Sequence, residues 1–324
     1  MRNLIAQGVK VQMCVTSPPY FGLRDYNHPG QLGLEATPAE FVAAMVEVFG
    51  LVRELLADDG VLWLNLGDSY AGSGYSNHAN TGGAQLADGG KQRHLSGTGL
   101  KQKDLIGIPW RVALALQEAG WYLRQDIIWH KPNPMPESVT DRCTKAHEYL
   151  FLLSKRERYY FDSAAIQEQS ATNDPRRPYT SEGAWQMDGR PTEQRHGGKP
   201  RTAGNKTHKL VTEYEKSETE EHRTAAGLMK IADVPWEKRN KRSVWTVATQ
   251  PYSGAHFATF PPALIEPCIL AGSRSGDTVL DCFFGSGTTG EVAGNLGRNW
   301  IGCEINDQYA PLQQARTAQR GLAL

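Results

Sequence analysis

The chain has 324 residues, 40% hydrophobic and 22% charged, with 35 basic side chains against 35 acidic ones. That length buries a sizeable core, as one large α/β domain with an insertion or as two modest domains, and zero net charge leaves any polyanion partner to a local patch. No apolar run nears the ~18 residues of a membrane span, the start lacks a signal-peptide pattern, five scattered cysteines make no disulfide framework, and no CxxC or HExxH spacing marks zinc; the expectation is a reduced, cytoplasmic enzyme without metal or membrane.

Residues 11–15 are a short apolar run that predicts a strand, and Thr16-Ser17-Pro18-Pro19-Tyr20 must leave it, because a proline pair cannot continue a ladder. Thr37-Pro38-Ala39-Glu40 is a capping box with proline at the first helical position. Phe41, Met45, Val48, Val52 and Leu55 mark one helical face, and Gly60 reads as the close of that helix. Residues 61–66 are almost continuously apolar, as expected of a strand covered on both faces. Residues 71–100 hold eight glycines and hardly a large aliphatic side chain, so they read as a long loop. A helix opens near Pro109, strands follow at 121–129 and 148–153, and a proline-rich turn at 131–136 lies between them.

Between about 163 and 243 the sequence turns polar and irregular, which reads as an inserted subdomain or loop system. From Asp174 to Lys209 eight basic side chains, among them Arg176, Arg177, Arg195, Lys199 and Arg201, face four acidic ones, and an acidic run at 213–221 follows. By themselves such runs equally suit a solvated surface. Compact α/β patterning then returns, with a helix at 261–270, a strand at 278–280, a glycine loop at 281–290, a helix at 288–296 and a strand at 300–303 ending at Glu304.

Two segments carry chemistry. The first is Asp281-Cys282-Phe283-Phe284-Gly285-Ser286-Gly287-Thr288-Thr289-Gly290, set between a predicted strand and helix. Glycines there allow a tight turn and let a ligand approach bare backbone at a helix N-terminus. Gly285, Gly287 and Gly290 satisfy GxGxxG, and Glu304, 23 residues beyond Asp281, stands where a carboxylate can grip two ribose hydroxyls. NAD, FAD and S-adenosylmethionine all suit this pattern, as does a purely structural turn; without a GK[ST] ending it is not a phosphate-binding P-loop.

The second is Ser17-Pro18-Pro19-Tyr20, at the C-terminal end of a buried strand, where open α/β sheets place their chemistry. A proline-stiffened turn with an aromatic anchor is the plain alternative. The functional reading starts from the exocyclic amine of a nucleobase, a poor nucleophile because its lone pair is delocalised into the ring. Two acceptors on its two N–H bonds favour a more tetrahedral nitrogen with its lone pair free. The Ser17 hydroxyl and the Pro18 carbonyl can be those acceptors, held by two residues of fixed φ. Tyr20 offers a ring face for an extruded base.

On these residues the chain resembles the S-adenosylmethionine-dependent amino-group DNA methyltransferases, in the circularly permuted order where the catalytic Pro-Pro-Tyr precedes the cofactor loop. Residues 279–289, with Phe283, Gly285 and Gly287, resemble the family's cofactor segment. His256-Phe257-Ala258-Thr259-Phe260-Pro261 resembles the segment completing the methionine side of that pocket. Trp129-His130-Lys131-Pro132-Asn133 and His147-Glu148 resemble flanking family segments. The resemblance implies a Rossmann-like, mostly parallel, doubly wound sheet with an inserted target-recognition region: a catalytic half at 1–162, recognition at 163–243 and a cofactor half at 244–324. It implies Ser17, Pro18, Pro19 and Tyr20 as the catalytic segment, and Thr16, Phe260, Pro261, Asp281, Phe283, Gly285, Gly287, Thr288 and Glu304 around S-adenosylmethionine. Double-stranded DNA is the implied partner, held through Arg176, Arg177, Arg195, Lys199 and Arg201, with the 71–100 loop as a lid or a DNA-contacting arm. A cognate restriction endonuclease is a candidate partner, and monomer or homodimer both suit the family. Serine at position 17 favours cytosine N4 over adenine N6. Cys282 departs from the proline frequent in relatives, and the segment before Val11 lacks their usual Gly-Asp.

Four other readings compete, one of them a methyltransferase of RNA or of a glutamine amide, for which Asn or Asp before the prolines and no large basic insertion are expected. A cytosine-C5 enzyme needs a cysteine nucleophile, and Pro267-Cys268, the one such pair, falls inside a predicted helix as a core thiol. An NAD-dependent oxidoreductase leaves Ser-Pro-Pro-Tyr without a purpose. A DNA-binding protein that has lost catalysis does not require an intact Ser17–Tyr20 segment.

Overall fold

The computed structural model describes residues 1–23, 25–26, 28–71, 98–169, 238–250 and 260–318. Arg176, Arg177, Arg195, Lys199 and Arg201, nearly all of the glycine-rich 71–100 loop, and His256 to Thr259 lie outside the described residues.

After a short α1 (Arg2–Ala6), the first apolar run forms β1 (Val11–Thr16), buried at every position. The capping box forms as expected at the start of α2 (Pro38–Leu55): Glu40 N donates to Thr37 Oγ1 at 3.2 Å and Thr37 N donates to Glu40 Oε2 at 3.1 Å. Thr37→Ala is expected to lower stability by about 1 kcal/mol, read as a lower urea midpoint with an unchanged slope. The buried stripe of α2 runs through Phe49, and Val48 is only half buried. The helix stops at Leu55, and β2 (Leu56–Leu66) begins at the next residue. Gly60 therefore does not close the helix. It sits in a bulge where Val11 pairs with Leu56 but Met13 already pairs with Val61, and a Cβ there would lie 2.9 Å from the Gln12 carbonyl oxygen.

The chain continues through α3 (Ile108–Glu118), β3 (Tyr122–His130), β4 (His147–Ser154), β5 (Glu168–Gln169), β6 (Lys238–Arg239), β7 (Val244–Thr246), α4 (Pro262–Gly272), β8 (Thr278–Asp281), α5 (Thr288–Asn295), β9 (Asn299–Gly302) and α6 (Ala310–Thr317). Seven strands make one sheet in the order β7-β3-β4-β2-β1-β8-β9, parallel throughout except for β4, which runs against both neighbours. Alternate residues feed two cores, one on each face. Cys14, Leu62, Leu64 and Leu66 pack with α2 and α3, whereas Met13, Val15, Val61 and Trp63 pack with α4 and α5. Both faces being covered explains why these strands read as continuous apolar runs. The chain divides into Met1–Ile166 with Lys241–Leu324 as one unit and Gln167–Asn240 as another. In the second, β5 and β6 pair antiparallel, with Arg239 Nε on Glu168 Oε1 at 2.9 Å. Among the described residues no helix is long and apolar enough to cross a membrane.

Candidate active site

β1 and β8 are parallel neighbours, with Met13 opposite Val279 and Cys14 opposite Leu280. Their C-terminal ends therefore emerge together, although 265 residues separate Thr16 from Asp281. A buried hydrogen bond joins them: Thr16 Oγ1 donates to Asp281 Oδ1 at 2.6 Å. Thr289 Oγ1, at the start of α5, donates to Asp281 Oδ2 at 2.6 Å, and Phe283 N donates to Oδ1 at 3.0 Å. Burial pushes the Asp281 carboxyl up to about 6, and these three donors oppose the rise.

The loop beyond Asp281 needs its glycines for different reasons. Gly285 (φ +50°) and Gly287 (φ +86°, the cap of α5) adopt the left-handed region. Gly290 lies under Phe284, which stacks on Trp300 with ring centres 5.1 Å apart; a Cβ on Gly290 would meet Phe284 Cζ at 2.8 Å. Gly285 N donates to Glu304 Oε2 at 2.8 Å, while Glu304 Oε1 accepts from Ile305 N and Asn306 N at 3.0 and 2.9 Å. The second carboxylate is thus tied to the glycine loop by backbone donors.

A cavity of about 370 Å³ opens between the two segments. Ser17 and Pro19 of the first segment, Asp281, Phe283, Gly285 and Thr288 of the second, and Phe260 and Glu304 line it. Thr16, Pro18, Tyr20, Gly287 and Pro261 do not line it. Thr16 stands behind Asp281, Pro18 and Pro261 are buried, and a Cβ on Gly287 would face Gln313 and Thr317 of α6 at 3.4–3.5 Å. Tyr26, Gln31, Leu32, Ile305, Asn306 and Tyr309 also line the cavity. Sequence reasoning missed them because they are ordinary loop residues without a motif.

Beside the cavity, Tyr20 is fixed at both ends. Its hydroxyl donates to Glu148 Oε2 at 2.5 Å and accepts from Asn65 Nδ2 at 2.7 Å. Its ring lies over Gly67, where a Cβ would come within 2.5 Å of Cε2. Burial, then the Glu148 charge, push this phenol well above its ordinary range. The other oxygen of Glu148 pairs with Lys131. Asn65 and Gly67 were not anticipated. The available signal was Asn65 itself, a lone amide at the C-terminal end of an apolar strand, where a buried polar group needs a purpose. Lys131 and Glu148 appeared only as flanking motif residues. Register places them together, since His130 pairs with His147 and Trp129 with Glu148.

Cys268 is fully buried in α4, its thiol donating to Leu264 O at 3.5 Å, and burial pushes its pKa well up; Cys14 is equally buried in β1. Neither thiol reaches the cavity as a nucleophile would.

Residues 11–315 match a protein-family model described as DNA methylase. The type II methyltransferase M.SmaI of Serratia marcescens is 42% identical over 310 residues, spanning 94% of this chain and 84% of its own. Among solved structures, PvuII DNA methyltransferase (cytosine-N4-specific) matches with a TM-score of 0.55 at 17% identity, over 98% of this chain and 84% of that one. TTHA0409 from Thermus thermophilus, solved with S-adenosyl-L-methionine, matches at 0.53 and 20% identity, over 100% and 92%. At such identities the two structures speak to the fold: a Rossmann-like, mostly parallel sheet wound on both faces.

Proposed function

The chain belongs to the DNA methylase family, and from that premise we propose that it methylates cytosine N4 in DNA, using the Ser17–Tyr20 segment against a cofactor held at the glycine loop. It is an amino-group DNA methyltransferase, and S-adenosylmethionine is the methyl donor of the family. The observation that carries the assignment of residues is the 2.6 Å bond from Thr16 to Asp281. It ties the strand that ends in Ser-Pro-Pro-Tyr to the strand that ends in the glycine loop, so both segments face one cavity. The order of the two, catalytic strand early and cofactor strand late, supports the circularly permuted arrangement.

The cavity suits this donor. The acidic residues Asp281 and Glu304 share the wall with the apolar side chains of Phe260, Phe283, Leu32 and Ile305, among others, a mixture that complements a ligand carrying positive charge, ribose hydroxyls and a flat ring. When bound, the cofactor supplies an electrophilic methyl on a sulfonium. Glu304, Gly285 and Asp281 are the residues that would hold it, Glu304 as an acceptor for its hydroxyls, Gly285 as bare backbone and Asp281 as a countercharge. Ser17 Oγ and the Pro18 carbonyl accept the two N–H bonds of the target amine, so the nitrogen lone pair is free to point at the methyl. Tyr20 supplies the stacking face. Alignment and electrostatics then account for the catalysis, without a covalent intermediate.

Serine at the first catalytic position supports cytosine N4; adenine N6 is the second reading. The 163–243 region is proposed to read the target, with Arg176, Arg177, Arg195, Lys199 and Arg201 on phosphates, and a restriction endonuclease of the same specificity is the proposed functional partner. Mass spectrometry of nucleosides from DNA incubated with the protein and S-adenosylmethionine tests the base. N4-methylcytosine is expected. N6-methyladenine alone would replace the cytosine reading, and C5-methylcytosine would remove the role of Ser17.

A further inference from the structure

Glu148 stands at the end of a hydrogen-bond chain that begins at Ser17. Its side chain is 14% exposed, and both oxygens are engaged, one with Lys131 and the other with the Tyr20 hydroxyl and Asn65 Nδ2 at 2.5 and 2.9 Å. An ion-paired carboxylate can only accept. Tyr20 must therefore donate its proton to Glu148, which leaves the phenol oxygen as an acceptor. That oxygen receives Asn65 Nδ2 at 2.7 Å and, in a longer contact of 3.4 Å, the hydroxyl of Ser17. Asn65 is turned by the same carboxylate. Its amide nitrogen donates to Glu148 and Tyr20 and, in a longer contact of 3.4 Å, to Ser17 Oγ, while its buried Oδ1 has no hydrogen-bond partner among the described residues. The flipped amide would set a carbonyl against the carboxylate. The hydroxyl protons of Ser17 and Tyr20 thus point toward Glu148, and with Asn65 Nδ2 on one lone pair of Ser17 the other is left for the cavity that Ser17 lines.

We propose that Glu148, acting through Tyr20 and Asn65, sets the direction of this chain so that Ser17 meets the target amine as an acceptor. Glu148 is then a positioning residue that touches no base. The inference rests on the reading of Ser17 as an acceptor for the amine. Glutamine at 148 offers a donor as well as an acceptor. With its amide nitrogen on the Tyr20 oxygen, the phenol proton can swing toward Ser17, whose own proton then faces the N–H it should receive.

Single-turnover methylation by Glu148→Gln, Ser17→Ala and the double variant tests this. Each single change is expected to slow the reaction about ten- to a hundredfold, the range for a hydrogen bond to a charged group. The double variant should be no slower than Ser17→Ala, because no acceptor remains to be oriented. Calorimetric titration of Glu148→Gln with S-adenosylmethionine should match the unmodified protein. Multiplying rate losses in the double variant, or lost cofactor affinity in Glu148→Gln, would assign Glu148 a structural role and overturn the inference. A Ser17→Ala protein of undiminished rate would instead overturn the reading of Ser17.

Discussion

Replacing Asp281 with asparagine is expected to leave the chain folded, to weaken S-adenosylmethionine binding at least about tenfold, and to make the unliganded protein more stable at neutral pH. Asp281 is 1% exposed, and burial lifts its carboxyl from 3.8 to about 6 despite donors from Thr16, Thr289 and Phe283. A folded-state value above the unfolded one means that folding favours the protonated form. Its contribution to stability is therefore fully present below pH 3.8 and is lost as pH rises through about 6. Beyond that, holding the charged carboxylate costs about 3 kcal/mol relative to the acid form. Asparagine has nearly the same shape and no charge, so its stability lacks this pH dependence. Urea midpoints of both proteins from pH 4 to 8 give the test: the gap should widen in favour of asparagine from pH 4 up to about 6 and level off above it. A gap independent of pH would show that the ionisation of Asp281 carries no cost. On the role proposed for Asp281, a buried carboxylate that costs the empty fold stability would be held to face the cationic cofactor, stability given over to function.

Gly67→Ala should slow methylation on the order of a hundredfold while leaving cofactor affinity intact. The added methyl would lie 2.5 Å from Tyr20 Cε2 and 2.9 Å from Cδ2. The ring cannot tilt away freely, because its hydroxyl is held by Glu148 and Asn65 at 2.5 and 2.7 Å. It must shift bodily, by an amount that moves the stacking face away from a flipped base. Neither Gly67 nor Tyr20 lines the cavity proposed for the cofactor, so a calorimetric titration with S-adenosylmethionine should be unaffected. In a Tyr20→Phe background the hydroxyl anchor is gone and the ring can yield. There Gly67→Ala should cost less thermal stability than it does in the unmodified protein. Equal losses in the two backgrounds would mean that the clash is relieved elsewhere.

Several features were legible without coordinates because each depends on neighbours in sequence. The Thr37–Glu40 box is a local exchange of backbone donors, and it forms as read. The tight turn read at the glycine loop forms with Gly285 and Gly287 at positive φ, a geometry glycine adopts without steric cost. The core strands declared themselves as continuous apolar runs because both faces are covered. Where local rules competed with pairing, pairing won: Gly60 looked like a helix stop, but the bulge against Gln12 uses it inside β2. Val48 fitted a helical stripe that the sheet below α2 draws through Phe49 instead.

Short stretches of residues were enough to read the α/β class and to single out the two segments proposed to carry the chemistry, since their backbone and side-chain chemistry is local. Long-range packing alone brings Thr16 to Asp281, makes Lys131 and Asn65 converge on Glu148, and gives Tyr20 its room above Gly67. Those pairs lie far apart along the chain, and their meeting depends on strand order and register. Both are set by burial summed over the whole sheet, so no single stretch of residues encodes them.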